Sequence, residues 1–450
     1  MYWANFLHIY QPPTQKEVWV RRITEESYRK VFLGLLGIPE ARLTLNINGV
    51  LCELLEKYGG TDVIDAIREL VRRGNIELTG SAKYHAFLPL LPEKEIERQI
   101  LLNEESLRHY FGDVWKKRGF FSPEMAYSKK VAAVAQRLGY EWIIVDELAF
   151  PPDRKQSPET IYQIDGLDGF SAFFRERNLS YIILSAQVGT VPTILRYLGP
   201  RLDRNEYVVT AMDGETFGHH RPGLEMLLFD LMREQKITSV QISDLFDTFP
   251  QRKTIEPVNS TWAVTKKNME DHLPYARWND PENVIQQKQW QLTDLAVAVV
   301  GRAEPKSGVR KLLDEALHSD QYWWSSARPW WSLEMIERGA VELKNVVLAS
   351  AQATDEEKKT AEALYRDIVF IAFDWQRSGR VDEISRKEDE EIRERLEEKE
   401  QLFITTEEYL SMITTLEEQM HLAAKNEEYH RAAMIKDRIR ELREDMKKNA

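Results

Sequence analysis

Asp213 and Glu215 stand two residues apart behind a short apolar run, and His219 and His220 follow within five positions. Carboxylates and imidazoles at that density can shuttle protons or attack an electrophilic carbon, tasks for which a bare Asp-Gly turn has no use. Three further stretches end short apolar runs with side chains of the same kinds: His8 with Gln11, His85, and Glu124 behind Ser122-Pro123. Two carboxyl groups from different stretches suit cleavage of a glycosidic bond, one attacking the anomeric carbon while the other protonates the leaving oxygen. Acidic residues are abundant here, so a carboxylate pair alone is a weak signal. Spacing does not choose between Asp213 and Glu215, which share a face if the backbone stays extended. A lone His8 or His85 reads first as a satisfied interior histidine, and His219-His220 as the lining of a loop. Glu124 is a poorer cap for the helix that follows than Ser128.

For such residues to meet, the fold must bring distant strand ends to one face. The β-branched run 207–212 reads as a buried strand, and comparable runs fall at 2–8, 42–48, 75–79, 119–121, 142–145, 170–174 and 181–184. Helical periodicity separates most of them, as in 61–71, 93–110 and 129–138. Strands alternating with helices imply an α/β fold with parallel pairing and right-handed crossovers. Seven or eight such units closing on themselves give a barrel of roughly 250 residues, with all strand exits on one face. The strand count ends near Pro250, so residues 1–250 form the expected barrel.

From 256 to 380 the pattern is helical, with segments at 282–300, 308–318 and 333–348. Seven of the twelve tryptophans lie between Trp262 and Trp331, so Trp262, Trp323 and Trp324 are either core or platforms for sugar rings. Residues 381–405 read as a charged helical linker, with ten acidic against five basic side chains in 382–400. Residues 406–450 carry two apolar helical stripes broken at Asn426, a helical hairpin able to fold as a unit of its own. A net charge of -12 argues against sequence-independent nucleic-acid binding and against an anionic membrane surface. One cysteine, Cys52, rules out an intramolecular disulfide. With neither a leader pattern nor a bilayer-length apolar run, the expected location is cytoplasmic.

Four of these stretches, in order, resemble the motifs of glycoside hydrolase family 57. His8-Ile9-Tyr10-Gln11-Pro12 is similar to its first motif, and Gly74-Asn75-Ile76-Glu77 running on to His85 to its second. Phe121-Ser122-Pro123-Glu124 looks like the third, and Asp213-Gly214-Glu215-Thr216-Phe217-Gly218 like the fourth. A fifth, aromatic motif falls around 320–324. The resemblance implies an incomplete (β/α)7 barrel of the TIM type and a retaining mechanism on α-glucans. It implies Glu124 as nucleophile, ionised at rest, and Asp213 as general acid/base, protonated at rest. His8, Gln11, His85, Glu215, His219, His220 and the tryptophans would bind sugar, and no metal or other cofactor is implied. Tyr10 replaces the second histidine of the first motif, and Phe121 stands where tryptophan is common, both changes to the wall of the sugar subsite.

The tail, from Leu416 through Leu442, resembles the UVR motif, a hairpin that acts in other proteins as a protein-docking module. The expected function is therefore an α-glucan hydrolase or glucanotransferase with a protein partner for residues 406–450. The rival is a sugar-binding regulatory subunit that docks through the hairpin. A metal-dependent deacetylase would need His8, His85 and Asp213 as ligands.

Overall fold

The computed structural model describes residues 1–185, 190–304, 307–328, 330–386, 404–425 and 428–449. Most of the acidic linker expected over 381–405 lies outside them. The strands are β1 (Tyr2–Ile9), β2 (Leu43–Ile47), β3 (Ile76–Leu78), β4 (Gly119–Phe120), β5 (Trp142–Asp146), β6 (Ile161–Ile164), β7 (Ser171–Arg175), β8 (Tyr207–Asp213), β9 (Thr238–Val240) and β10 (Arg252–Ile255).

One sheet runs β3-β2-β1-β8 with β9 beside the start of β1; the other runs β10-β6-β7-β5-β4. Only the β6–β7 pairing is antiparallel among the described strands. The sheets meet at two seams. At the first, Gly80 bridges Phe120, its amide donating to Gly119 and its carbonyl accepting from Phe121, both at 2.9 Å. At the second, the Glu176 amide just past β7 donates to the Val209 carbonyl of β8 at 2.7 Å. Parallel strands in the order β1-β2-β3-β4-β5-β7-β8 thus run round to β1 again, a seven-stranded curled sheet.

Period-two alternation decides what faces the lumen. Ala4 and Phe6 of β1, Trp142 and Ile144 of β5, Phe173 of β7 and Val209 and Ala211 of β8 fill it as one buried cluster. The alternate residues, among them Trp3, Leu7, Leu45 and Met212, bury outward against helices. Two positions beyond the plug the inward side chains turn polar: His8, Asp146, Arg175 and Asp213, with Asn46 on β2. Below that layer hydrocarbon packs the lumen from β1, β5, β7 and β8, while on the β2–β3 side Thr44 Oγ1 and the Ser243 amide donate to Glu77 at 2.7 and 3.0 Å.

The apolar run 181–184, expected as a strand, instead completes the helix Arg177–Leu184, which Glu176 caps by accepting from the Leu179 amide at 2.5 Å. A short apolar run fits a helix face as well as a strand, and here the cap decides. Strands β6, β9 and β10 escaped the sequence reading because they are only three or four residues long; β9 and β10 are also polar, and β10 lies beyond Pro250.

Past β10 come the helices Val284–Val300, Gly308–Ala316, Leu333–Ala349 and Asp355–Ser378, sharing one apolar core with the barrel flank. Phe87 stacks on Trp278 at 5.2 Å across that junction. Arg310 meets Glu95 through bonds of 2.9 and 2.6 Å, and Arg98 meets Asp314 through two of 2.7 Å. Bidentate pairs of this kind fix geometry more than they stabilise. The final helices, Thr406–Lys425 and Tyr429–Asn449, close on Ile413, Leu416, Ile435, Ile439 and Leu442. The hairpin is seated on the barrel: Glu408 accepts from Thr193 Oγ1 at 2.7 Å and from Arg196 at 2.6 Å. Among the described residues no helix is long and apolar enough to cross a membrane.

Candidate active site

At the C-terminal ends of the strands, three residues that are not glycine have positive φ: His85 at 56°, Glu124 at 61° and Met125 at 49°. Each such position costs about 1–3 kcal/mol and persists only where its surroundings impose it. At Glu124 they do so through the Trp262 amide, which donates to the Glu124 carbonyl at 3.2 Å, and through the Tyr127 amide on the Ser260 carbonyl at 2.9 Å. The Glu124 carboxyl then meets Trp262 Nε1 at 3.1 Å and Ser319 Oγ at 2.9 Å.

A chain of hydrogen bonds runs inward from Ser319. Its Oγ is 3.0 Å from His85 Nδ1, His85 Nε2 is 3.1 Å from His8 Nε2, and His8 Nδ1 is 2.8 Å from Asn46 Oδ1. Burial holds His8 down to about 4 against the Asn46 bond, and burial with the His8 charge holds His85 well below its usual value, so both rings are neutral. Which ring nitrogen donates at each step follows the tautomers and the way the Asn46 amide is turned. Ser319 Oγ donates to Glu124 Oε1, which leaves its oxygen to accept from His85 Nδ1. Burial, then the Asp320 charge, push the Glu124 carboxyl up to about 8 despite its bonds to Ser319 and Trp262. Burial and the Asp320 charge thus push Glu124 towards its neutral form, whereas the family resemblance implies an ionised one.

Asp213 ends β8 directly beside His8 of β1. Glu215, two residues on, is gripped by Tyr28 Oη, by Gln11 Nε2 at 3.4 Å and by the Tyr10 amide at 3.3 Å. Burial raises both carboxyls; Arg175 opposes this at Asp213, and the Asp213 charge adds to it at Glu215. Arg175 is itself held by Asp146 at 3.6 Å, and Asp146 also takes Arg177 at 2.5 Å.

The helical region supplies the fourth wall. Ala86 bridges His318, and the Ser319 amide donates to the His85 carbonyl at 3.0 Å. Asp320 Oδ2 accepts from Tyr10 Oη at 2.7 Å and lies 3.1 Å from His318 Nδ1, whose other nitrogen is 3.1 Å from Glu342. Burial alone would lower His318, but its bonds to Asp320 and Glu342 lift it to about 10. Asp320 correspondingly stays below its usual value, since His318 outweighs the effect of burial. This is a buried carboxylate–imidazolium–carboxylate line ending on the Tyr10 hydroxyl.

These groups open on one cleft of about 690 Å³. Every residue singled out from the sequence lines it: Glu124, Asp213, His8, Gln11, His85 and Glu215, with His219, His220, Trp262, Trp323 and Trp324. His219 is fixed by Glu26 at 2.6 Å, while burial and the His219 charge bring His220 down to about 4. The tryptophans divide by role. Trp278 and Trp290 are core, whereas Trp323 and Trp324 gather round Trp330, which is 47% exposed at the cleft edge. Phe121 lies under His8 at 4.8 Å, and Tyr10 stacks on His85 at 4.0 Å.

Sequence reasoning did not find Tyr28, Arg175, His318, Ser319 or Glu342. Asn46 and Asp146 carried a signal, as polar residues closing a strand, and Asp320 fell in the loosely placed aromatic motif. His8 and His85 spend all four ring nitrogens on each other, Asn46 and Ser319 rather than turning them to Asp213. Among the described residues no group of three His, Cys, Asp or Glu is arranged to hold a metal ion.

The model for glycosyl hydrolase family 57 matches residues 6–257, and that for the UvrB/uvrC motif matches residues 411–445. The alpha-amylase of Pyrococcus horikoshii is 27% identical over 234 residues, 50% of this chain and 36% of that protein. The 4-alpha-glucanotransferase of Thermococcus litoralis is 26% identical over 206 residues, 44% of this chain and 30% of that protein. The chain thus spans about a third of the length of these relatives. Among solved structures, the GH57-type branching enzyme from Pyrococcus horikoshii superposes with a TM-score of 0.60 at 18% identity, covering 81% of this chain and 94% of that one. The 4-alpha-glucanotransferase from Thermococcus litoralis gives 0.63 at 17% identity, covering 77% and 58%. At such identities the likeness concerns the fold, which these enzymes share with the curled seven-stranded sheet and helical region described above. The family model spans more than half of the chain and takes in the strand exits that carry His8, His85, Glu124 and Asp213, so the chain belongs to glycosyl hydrolase family 57.

Proposed function

We propose that this chain cleaves or transfers α-linked glucan by double displacement, with Glu124 as nucleophile and Asp213 as general acid/base. The observation that carries the reading is that these two carboxyls, from separate strand exits of a family 57 barrel, share one tryptophan-walled cleft, where the Asp213 charge acts on Glu124. In the first step the Glu124 carboxylate bonds to the anomeric carbon as the glycosidic C–O bond breaks, and Asp213 gives its proton to the leaving oxygen. In the second, water or a sugar hydroxyl loses its proton to Asp213 and displaces Glu124, so the anomer is retained. Trp323, Trp324 and Trp330 offer flat faces to pyranose rings, while Gln11, His219 and His220 offer polar contacts to hydroxyls. Glu215, drawn back by Tyr28, serves as a positioning residue rather than a second acid.

Incubation with maltoheptaose tests this, with reducing ends reporting hydrolysis and chain-length redistribution reporting transfer. Loss of both in Glu124→Ala and Asp213→Ala is expected. Binding of the oligosaccharide with neither activity in the wild type would leave only the sugar-binding, regulatory reading. A protein partner for residues 406–450 belongs to the same proposal, meeting the outer hairpin face where Leu410, Leu422 and Tyr429 are exposed.

A further inference from the structure

The loop 217–223 is clasped from two sides. Gly218, at φ +108°, lies so close to the Thr24–Tyr28 segment that a Cβ there would sit 2.1 Å from the Glu26 carbonyl oxygen. Gly223, at φ +89°, lies under the first hairpin helix, where a Cβ would meet Leu416 Cδ2 at 2.7 Å and Gln419 Oε1 at 3.0 Å. Only glycine fits at either place. At the start of the loop the His219 and His220 amides donate to the Glu215 carbonyl at 3.2 and 2.9 Å, so the loop carries both rings to the cleft while tied to Glu215. Its far end opens the helix Leu224–Arg233, on which Glu225 is 4% exposed.

The second hairpin helix reaches the same place. Arg431 Nη2 stands 3.3 Å from Glu225 Oε1, with only 11% of its side chain exposed. The charge of Glu26, the carboxylate that fixes His219, acts on Arg431. A cation this deep beside two carboxylates is more than hairpin adhesive. The hairpin already has a separate anchor at Glu408, which holds Thr193 and Arg196 at its other end. Removing Arg431 takes the hydrogen-bond donor from a buried carboxyl that burial already pushes up to about 7, which the loop relieves by moving.

We infer that Arg431 is a positioning residue of the cleft: by pairing with Glu225 it holds the 217–223 loop, and with it His219 and the Glu215 backbone, in the sugar-binding arrangement. The inference rests on the glucan reading for its ligand but not for its geometry. The UVR-like hairpin then works in cis as the outer half of a substrate-binding wall.

Amide hydrogen exchange on full-length Arg431→Ala is the first readout. Residues 216–223 are expected to exchange about tenfold faster, the factor for roughly 1.4 kcal/mol of easier local opening, while 405–416, anchored by Glu408, keep their rates. The KM for maltoheptaose should rise several-fold with kcat within about twofold, because a loop that grips sugar equally in ground and transition states affects binding alone. Arg431→Lys should recover part of both changes. If Arg431→Ala fails to fold, Glu225→Gln removes the pair from the other side and is read identically. Unchanged exchange at 216–223 in the variant that folds overturns the inference. Faster loop exchange in a protein whose wild type turns over no glucan removes the glucan reading and leaves this one standing; normal turnover with unchanged loop exchange removes this one alone.

Discussion

The Tyr10 hydroxyl donates to Asp320 Oδ2 at 2.7 Å, tying the exit of the first strand to a residue 310 positions later. Burial and the Asp320 charge push the Tyr10 phenol well above its ordinary value, so it is a donor at every working pH. Asp320 in turn is the largest charge acting on Glu124. The residue standing where the family usually has a histidine therefore reaches the candidate nucleophile through one carboxylate.

Tyr10→Phe isolates that hydroxyl, because the ring keeps its 4.0 Å stack on His85. Losing a hydrogen bond to a charged group costs about 1.5–3 kcal/mol. With one donor fewer, Asp320 binds its proton more readily and presses less on Glu124. The expected outcome is a limb of kcat/KM that belongs to Glu124 displaced to lower pH, with secondary structure intact. Wild-type kinetics in Tyr10→Phe would show that the hydroxyl is idle.

His318 gives a stability prediction with a definite pH window. Its folded value of about 10 exceeds its unfolded value near 6.5. Its contribution is therefore fully present below about pH 6.5 and is lost as pH rises through 10. His318→Gln removes the cation between Asp320 and Glu342 and should destabilise by about 3 kcal/mol at pH 6. In urea unfolding the gap between variant and wild type should narrow steadily from pH 6.5 to 10. A constant gap across that range would mean that His318 is neutral in the fold.

What the sequence makes legible follows from how local each signal is. Strands β1, β2, β5 and β8 announce themselves by β-branched or alternating runs, and the period that marks them also delivers His8, Asn46, Asp146 and Asp213 to the lumen mouth. Glu124 was found through its neighbours in a short motif; its positive φ and its partner Ser319, 195 residues away, leave no trace nearby. Tyr28 sits in an ordinary amphipathic helical stretch, and only the fold reveals that it meets Glu215 across 187 positions. Protonation was the hardest to read, since it depends on burial and on Asp320, both products of tertiary packing.

Chelation offers a separate check. With His8 and His85 satisfied by each other, Asn46 and Ser319, glucan turnover should persist after exhaustive dialysis against EDTA. Activity lost on dialysis and restored by added zinc would move the chemistry onto a metal and away from the carboxyl pair.

The roles of Glu124 and Asp213 are best separated by removing one of them and then titrating the other. In the wild type a bell-shaped profile of kcat/KM carries the same two limbs whichever carboxyl owns which value, so its shape does not assign them. In Asp213→Ala, a substrate with a good leaving group needs no proton for the first step, and its rate then follows Glu124 alone. If Glu124 is the nucleophile, it reacts only when ionised, and the rate must rise with pH through its titration. Because the Asp213 charge helps raise Glu124, that midpoint should fall somewhat below the value of about 8 seen with Asp213 present. Azide added to Glu124→Ala should give a glycosyl azide of inverted configuration, since the small anion attacks from the face the carboxylate left. If Asp213→Ala is instead inert even toward a good leaving group, and azide rescues that variant rather than Glu124→Ala, Asp213 is the nucleophile, Glu124 is the proton donor and the two roles are reversed.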